Sequence, residues 1–252
     1  MSNGAILITG AAKRIGRQLA LDLAAVDYDI ALHFNESSRE AEEVATSMRA
    51  MGRKAALVQG DLADADIAER LISSATKQIG PLTGLINNAS IFEMDQIGEV
   101  SLASWQRHMD INLRAPVMLA QSFAKALPDD AHGNIINIVD QRVWRLNPRF
   151  FSYTLSKSGL WTATRTLAQA LAPRIRVNAI GPGPALPSVR MSDAEFAKQE
   201  SLTLLGRGTS PAEISAAAKF ILSQPALTGQ MIALDGGQHL LWQTKDVIEV
   251  KE

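Results

Sequence analysis

Residues 5–16 read Ala-Ile-Leu-Ile-Thr-Gly-Ala-Ala-Lys-Arg-Ile-Gly, and this stretch decides the fold of the chain. The short apolar run 5–9 is typical of a buried parallel strand, and the apolar periodicity after Gly16 predicts an amphipathic helix. A strand, a glycine turn and a helix in this order place a helix N-terminus where it can bind a dinucleotide pyrophosphate. The glycine spacing is not G-x-G-x-x-G, because alanine occupies position 12. A glycine turn between a strand and a helix can also serve packing alone.

The same alternation of short apolar runs and helical patterns continues to the end of the chain. Predicted strands span residues 5–9, 29–34, 55–59, 82–86, 134–139, 175–179 and 231–234, and predicted helices span 39–51, 67–79, 102–127, 150–172 and 211–222. This order predicts an α/β Rossmann fold with a doubly wound parallel sheet of about seven strands. No linker or repeat interrupts it, so residues 1–252 are expected to form a single domain, with 188–205 as a substrate lid.

The composition excludes several functional classes. The 252 residues carry 25 basic and 26 acidic side chains, a net charge of −1, without a long run of either sign. Neither nucleic acid nor an anionic membrane is therefore an expected partner. The absence of cysteine excludes disulfides and thiolate sites, and the four histidines lack ligand spacing, so no metal is expected. Without a signal peptide or an apolar run of roughly 20 residues, we expect a cytoplasmic protein.

Tyr153 and Lys157 stand four residues apart in a predicted helix, so they lie on one face of it. An ammonium beside a phenol stabilises the phenolate, which predicts a pKa for Tyr153 lowered toward neutrality and a role as general acid. Chance pairs at this spacing are common, so the interpretation depends on the surrounding fold. Asn112 lies within a predicted helix, where asparagine is unfavourable, which indicates a polar role.

The end of the second predicted strand bears on the choice of dinucleotide. In NAD-binding folds an acid at this position binds the ribose 2′-hydroxyl, and no acid stands at the strand end here. Arg14 in the glycine turn, with His33, Asn35 and Ser37, can bind a 2′-phosphate, which predicts NADP(H). Glu36 favours NAD(H) instead, because its carboxylate would repel a 2′-phosphate. These polar residues also suit a loop and a helix N-cap.

Four motifs in order resemble the short-chain dehydrogenases/reductases, over residues 5 to about 237. They are Thr9-Gly10…Gly16, Asn87-Asn88-Ala89, Tyr153…Lys157 and Gly181-Pro182-Gly183, with Asn112 where the family keeps a helix asparagine. The resemblance implies that Tyr153 donates a proton, that Lys157 lowers its pKa and binds the nicotinamide ribose, and that Asn112 holds the helix and a water. It also implies a homotetramer assembled through helices 102–127 and 150–172.

The residues expected to bind NADP(H) combine these motifs with the ends of the predicted strands. Asp61 and Leu62, after the third strand, are placed to hold the adenine, although Asp61 suits a turn cap equally well. The full expected set is Gly10, Arg14, Ile15, His33, Asn35, Ser37, Asp61, Leu62, Asn88, Ala89, Ser90, Tyr153, Lys157, Pro182 and Gly183.

Position 140 departs from the usual family pattern. The family has a serine thirteen residues before the tyrosine, and this chain has Asp140; Asn-Asn-Ala-Gly is Asn-Asn-Ala-Ser here. With the turn Thr-Gly-Ala-Ala-Lys-Arg at 9–14, these departures resemble the pteridine reductase branch. An ionised Asp140 cannot donate a hydrogen bond to a carbonyl oxygen. It could instead protonate the nitrogen of a C=N bond, relay a proton through Tyr153 or a water, or bond an amino-substituted ring.

The resemblance also implies a small-molecule substrate, a reduced-state pterin or folate such as a dihydropterin. Phe92 would stack on the pterin, Phe150 would add an aromatic wall, and Arg14 would reach both cofactor phosphate and pterin. The expected substrate-binding set is Arg14, Ser90, Phe92, Asp140, Phe150 and Tyr153. Three alternatives stay open: Phe92 is a packing residue, the protein reduces a ketone or a 3-oxoacyl group, or it is a regulatory NADP(H)-binding protein without turnover.

Overall fold

The computed structural model describes residues 2–188, 191–244 and 247, and within them seven strands form one parallel sheet. The strands are β1 Ala5–Ile8, β2 Asp29–Phe34, β3 Ala55–Gln59, β4 Leu82–Asn87, β5 Gly133–Ile138, β6 Ile175–Pro182 and β7 Met231–Leu234. Their order in the sheet is β3-β2-β1-β4-β5-β6-β7. The direction of winding reverses between β1 and β4, and a cleft opens at the carboxyl ends of strands at such a point.

Helices cover both faces of the sheet, which confirms the predicted doubly wound α/β fold. They are α1 Arg14–Ala24, α2 Ser38–Ala50, α3 Ile67–Ile79, α4 Leu102–Met109, α5 Ala115–Ala126, α6 Phe151–Leu171, α7 Asp193–Ser201 and α8 Pro211–Ser223. One core cluster joins the sheet to α3 and α5, and a second joins it to α1, α2 and α8. Because both faces are buried, the central strands read as continuous apolar runs rather than alternating ones.

The structure divides the predicted helix 102–127 into two helices, which corrects that prediction. A π-helical turn, Asp110–Arg114, separates α4 from α5, and the N–H of Ala115 donates to the carbonyl of Asp110, five residues back. Pro116 lies in the first turn of α5, where proline is tolerated. Proline has no N–H to donate to the carbonyl of Asn112, which is consistent with the wider turn at this point.

The predicted lid 188–205 includes residues 189 and 190, which lie outside the described part of the chain. Its described part contains α7, which starts with a capping box between Ser192 and Glu195 and buries none of its residues. Its role as a lid therefore stays a prediction. Across the described residues, no helix combines the length and apolar character needed to cross a membrane.

Candidate active site

The glycine turn after β1 is held against the residues after β4 by hydrogen bonds between side chains and backbone. Thr9 Oγ1 accepts hydrogen bonds from the N–H groups of Asn88 (2.9 Å) and Ala89 (3.0 Å), and Asn88 Nδ2 donates to Thr9 O at 2.9 Å. A Cβ at Gly16 would overlap the carbonyl oxygen of Gly10 and lie 2.7 Å from Asn88 Nδ2. The turn therefore requires glycine at position 16, because backbone lies where a side chain would begin.

The side chain of His33 supports the glycine turn through hydrogen bonds to the backbone, and its predicted contact with a phosphate is wrong. Its side chain is buried; Gly10 N donates to Nδ1 at 3.2 Å, and Nε2 donates to the carbonyl oxygen of Gly60 at 3.0 Å. Burial lowers the pKa of His33 to about 4, so the ring is neutral at pH 7. Both ring nitrogens are used by the backbone, so His33 positions the turn and leaves no nitrogen for a ligand.

The other polar residues after β2 lie at the rim of the fold. Asn35 and Glu36 are exposed, and Ser37 is half-buried but makes no side-chain capping hydrogen bond to α2. After β3, Asp61 Oδ1 accepts a hydrogen bond from the N–H of Ala63 at 2.9 Å, so this carboxylate caps its own turn. The side chain of Leu62 is buried in the core beside α3, and its expected place beside the adenine stays a prediction.

Arg14 begins α1 with a left-handed φ of 53° and reaches across the cleft. Its Nη1 donates to the carbonyl of Pro187 at 3.0 Å, and its Nη2 lies 3.5 Å from the carbonyl of Leu186. Arg14 and Ile15 both line the cleft beside the segment that leads to α7. The guanidinium therefore connects the glycine turn to the loop after β6, and the motif residues Pro182 and Gly183 line the same cleft.

Asp140, Tyr153 and Lys157 meet at the carboxyl end of β5. The hydroxyl of Tyr153 donates to Asp140 Oδ2 at 2.8 Å, and the N–H of Arg142 donates to Asp140 Oδ1 at 2.7 Å. Lys157 Nζ donates to the carbonyl of Ile138 at 2.7 Å. Tyr153 and Lys157 are buried, with 6% and 2% of their surfaces exposed, so these three ionisable groups share a poorly hydrated environment.

The electrostatics of this group overturn the expected low pKa of Tyr153. Burial and the neighbouring carboxylate of Asp140 hold the pKa of Tyr153 well above its ordinary value of 10.0. Burial also lowers the pKa of Lys157 to about 8, although Asp140 opposes that shift. Burial raises the pKa of Asp140, against the opposing effects of Arg142, Tyr153 and Lys157. Tyr153 is therefore a protonated donor, and its nearest charged partner is Asp140 rather than Lys157.

Asn112 joins the loop after β4 to α6, and its amide is saturated by protein groups. Oδ1 accepts from Ser90 Oγ (3.1 Å) and Ile91 N (2.9 Å), and Nδ2 donates to Ile91 O (3.0 Å) and Ser156 Oγ (3.1 Å). Ser156 Oγ in turn donates to the carbonyl of Tyr153. An amide side chain offers two donors and two acceptor sites, so these contacts occupy the side chain, and the expected water held by Asn112 stays a prediction. The expected role in holding the helix matches the geometry.

The two predicted substrate aromatics pack on one another. The rings of Phe92 and Phe150 are stacked, with centroids 4.0 Å apart and planes at 11°, and Phe92 meets Tyr153 edge-on at 4.7 Å. Phe150 adopts a left-handed φ of 55° at the start of α6. One face of Phe92 is therefore covered by Phe150, and the expected contacts of the two rings with a pterin stay predictions.

Asp95 caps α6 from a distant loop, and the sequence analysis missed it. Its Oδ1 accepts from Ser152 N at 3.0 Å, its main-chain carbonyl accepts from Phe151 N at 3.1 Å, and its Oδ2 accepts from Ser104 Oγ. Burial would raise the pKa of Asp95, but the hydrogen bonds from Ser152 and Ser104 outweigh it and lower the pKa. The cap lies one residue from Tyr153 in α6 and 57 residues away in sequence, so no local pattern indicates it.

These groups line one cleft of about 380 Å³ that runs from the glycine turn to α7. It brings together most of the predicted site residues: Arg14, Ile15, Asn88, Ser90, Phe92, Asp140, Phe150, Tyr153, Lys157, Pro182 and Gly183. The predicted site residues that do not line it are Gly10, His33, Asn35, Ser37, Asp61, Leu62, Ala89 and Asn112. Arg142 also lines it but was not among the predicted site residues, whereas Met191 and Phe196 line it from within the predicted lid 188–205. The position of Arg142 just after a strand end could have identified it as a cleft residue, because ligands bind at strand ends in this fold class.

Comparison with known proteins agrees with this architecture. Residues 4–198 match the family model described as short chain dehydrogenase. The FolM alternative dihydrofolate reductase 1 from Brucella canis, complexed with NADP, is 48% identical with a TM-score of 0.93, covering 98% of each chain.

Two further relatives extend the comparison. The FolM alternative dihydrofolate reductase 1 from Brucella suis, in complex with NADP, is 49% identical with a TM-score of 0.94, covering 97% of this chain and 98% of that one. A 3-oxoacyl-[acyl-carrier-protein] reductase from Synechocystis sp. is 32% identical over 92% of this chain and 95% of its own. The chain belongs to the short-chain dehydrogenase family of oxidoreductases.

Proposed function

We propose that this protein is an NADPH-dependent reductase of a pterin or folate substrate, of the dihydropteridine or dihydrofolate reductase type. The observation that carries the proposal is the 2.8 Å hydrogen bond from Tyr153 to Asp140, at the position where the family pattern has serine. The Brucella FolM proteins, named alternative dihydrofolate reductases, support the same substrate class.

The residues around the glycine turn fit a dinucleotide. Gly16 leaves room where any side chain would meet backbone, and the N-terminus of α1 opens into the cleft. The turn from Gly10 to Ile15, with Asn88 and Ala89, would hold the pyrophosphate. Arg14, Asn35 and Ser37 would hold the 2′-phosphate, and Lys157 and Tyr153 the nicotinamide ribose. When bound, NADPH supplies the hydride that reduces the substrate.

The chain's own contribution to the reaction is the proton. Tyr153 stays protonated at neutral pH, because burial and Asp140 oppose formation of the phenolate. The raised pKa of Asp140 lets this carboxyl hold a proton more readily than an exposed one. At 2.8 Å the two groups share one hydrogen bond, so they titrate as a coupled pair that delivers a proton to the substrate nitrogen.

The alternative is a carbonyl or 3-oxoacyl reductase, which the Synechocystis relative favours. Tyr153, Lys157 and Asn112 would serve that reaction equally well. The Asp140 carboxylate weighs against it, because negative charge develops on a carbonyl oxygen during reduction, and an ionised acid nearby opposes that charge.

Assembly as a homotetramer through α4, α5 and α6 is part of this proposal. Exposed apolar side chains, including Ile97, Leu146 and Leu155, line a groove that reaches the outer face of α6. Burial of this groove against a second copy would remove apolar surface from water. Light scattering of the purified protein measures the assembly directly, and a monomeric mass would remove this part of the proposal.

The deciding experiment follows NADPH consumption by the purified protein. One panel contains dihydropterin and dihydrofolate, and the other contains ketones and 3-oxoacyl thioesters. We expect turnover with the first panel. Turnover confined to the second would replace the pterin proposal by the carbonyl alternative. NADPH binding without turnover of either panel would favour the regulatory alternative.

A further inference from the structure

Arg142 is a cation at the substrate end of the cleft with a defined orientation. It follows Asp140 by two residues, and its N–H donates to that carboxylate. Its Nη1 donates to Asn147 Oδ1 at 2.9 Å, and its guanidinium carbon lies 5.4 Å from the ring centroid of Phe150. An amide and an aromatic face therefore hold the side chain, and both are uncharged.

The charge of Arg142 has no direct counter-ion in the part of the chain that the structure describes. Other arginines of the protein, such as Arg114 with Asp110 and Arg207 with Glu213, form ion pairs. No such pair within 4.0 Å is found for Arg142, and its Nε is buried without a hydrogen-bond partner. A partly buried cation held by neutral groups is stabilised when a ligand supplies the opposite charge.

The balance of charge in the cleft leads to the same conclusion. Among the residues that the structure describes, its charged lining consists of the cations Arg14, Arg142 and Lys157 and the carboxylate Asp140. In the proposed function, Arg14 and Lys157 contact the cofactor. Arg142 has no assigned contact with the cofactor, and it lies next to the stacked pair of Phe92 and Phe150, where the substrate would lie.

We propose that Arg142 binds an anionic substituent of the substrate and so selects pterins with a carboxylate-bearing tail, as in a folate, over pterins with a neutral side chain. This inference depends on the proposed pterin or folate reduction. A guanidinium presents donors in a planar fork that matches the two oxygens of a carboxylate, which a lysine ammonium cannot reproduce.

The test compares dihydrofolate, which carries carboxylates, with dihydrobiopterin, whose side chain is neutral. In the Arg142→Gln variant we expect kcat/KM for dihydrofolate to fall at least about tenfold relative to that for dihydrobiopterin. The ratio of the two values is the decisive quantity. Loss of Arg142 also changes the environment of Asp140, and that effect on proton transfer applies to both substrates equally. Arg142→Lys should restore only part of the ratio.

Arg149→Gln is the matched control, because it removes the same charge from an exposed residue of the same loop and should leave the ratio unchanged. In the unmodified protein, added salt should raise KM for dihydrofolate more than KM for dihydrobiopterin. Equal losses for both substrates in Arg142→Gln, or equal salt effects, would overturn the role of Arg142 and leave pterin reduction standing. Failure of the unmodified protein to reduce either substrate would overturn the proposed function itself.

Discussion

The two ends of the cleft are built in different ways. At the glycine turn, Thr9, Gly10, Gly16 and Asn88 form a cradle largely from backbone groups, and neutral His33 supports it from below. At the other end, burial and the carboxylate of Asp140 keep Tyr153 protonated, and the charged side chains of Arg142 and Lys157 also line the cleft there. In the proposed function, the glycine-turn end binds the cofactor through its shape. The Tyr153 end determines the reaction and the choice of substrate through side chains whose charge states depend on their neighbours.

The largest effect is expected at the end that sets the chemistry. Tyr153→Phe should lower kcat by a factor of about a hundred to ten thousand, because it removes a general acid. The dissociation constant for NADPH should change little, since the backbone cradle is untouched. Tyr28→Phe is the matched control, because Tyr28 is the other of the two tyrosines and does not line the cleft. Near-normal turnover of Tyr153→Phe would remove Tyr153 from the mechanism.

The reverse behaviour is expected at the glycine turn. Gly16→Ala should raise the dissociation constant for NADPH by about a hundredfold, because its Cβ overlaps backbone and such overpacking costs about 3 kcal/mol. Titration of NADPH fluorescence measures this change. Gly52→Ala is the control: Gly52 has a φ of 77° with open space around it, so the variant should lose stability without losing affinity. Unchanged NADPH affinity in Gly16→Ala would show that this end is not the cofactor cradle.

A smaller effect concerns the stability of the cradle in acid. The pKa of His33 is about 4 in the folded protein and 6.5 ordinarily, so between these values the unfolded chain binds a proton that the folded protein does not. Stability therefore falls as the pH decreases through this window, by about 1.4 kcal/mol between pH 7.5 and about pH 5.5.

Urea unfolding at a series of pH values measures this dependence on His33. His33→Gln should flatten it, whereas His132→Gln, at an exposed histidine, should leave it unchanged. An equally steep loss of stability in His33→Gln would assign the acid sensitivity to another group.

The same contrast between the two ends of the cleft explains how much of the structure could be predicted from the sequence. The seven strands, the glycine turn and the helical pair of Tyr153 and Lys157 follow from local patterns, because residue type alone encodes an apolar strand or a turn that needs Gly16. The fold was therefore predictable nearly throughout. The split of helix 102–127 was not predicted, although Pro116, which has no N–H for the carbonyl of Asn112, marks its position; the contacts of Asn112 with Ile91 and Ser156 appear only in the folded chain.

Properties set by distant neighbours could not be read from the chain. The pKa of Tyr153 was expected to fall because Lys157 is one helical turn away, but burial and Asp140 raise it. His33 was expected at a ligand because it ends a strand, but Gly10 and Gly60 occupy both nitrogens. The cap from Asp95 and the lack of an ion pair for Arg142 among the described residues likewise depend on the folded chain.

The substitution Asp140→Ser tests the central claim most directly, because it restores the family's usual serine next to Tyr153. With NADPH present, the rates of dihydropterin and ketone reduction are measured for the variant and the unmodified protein. We expect pterin reduction to fall by about tenfold or more. Ketone reduction should rise, since a serine hydroxyl can donate to a developing oxyanion. Unchanged pterin turnover in Asp140→Ser would contradict the account, because Asp140 would then have no part in protonating the substrate.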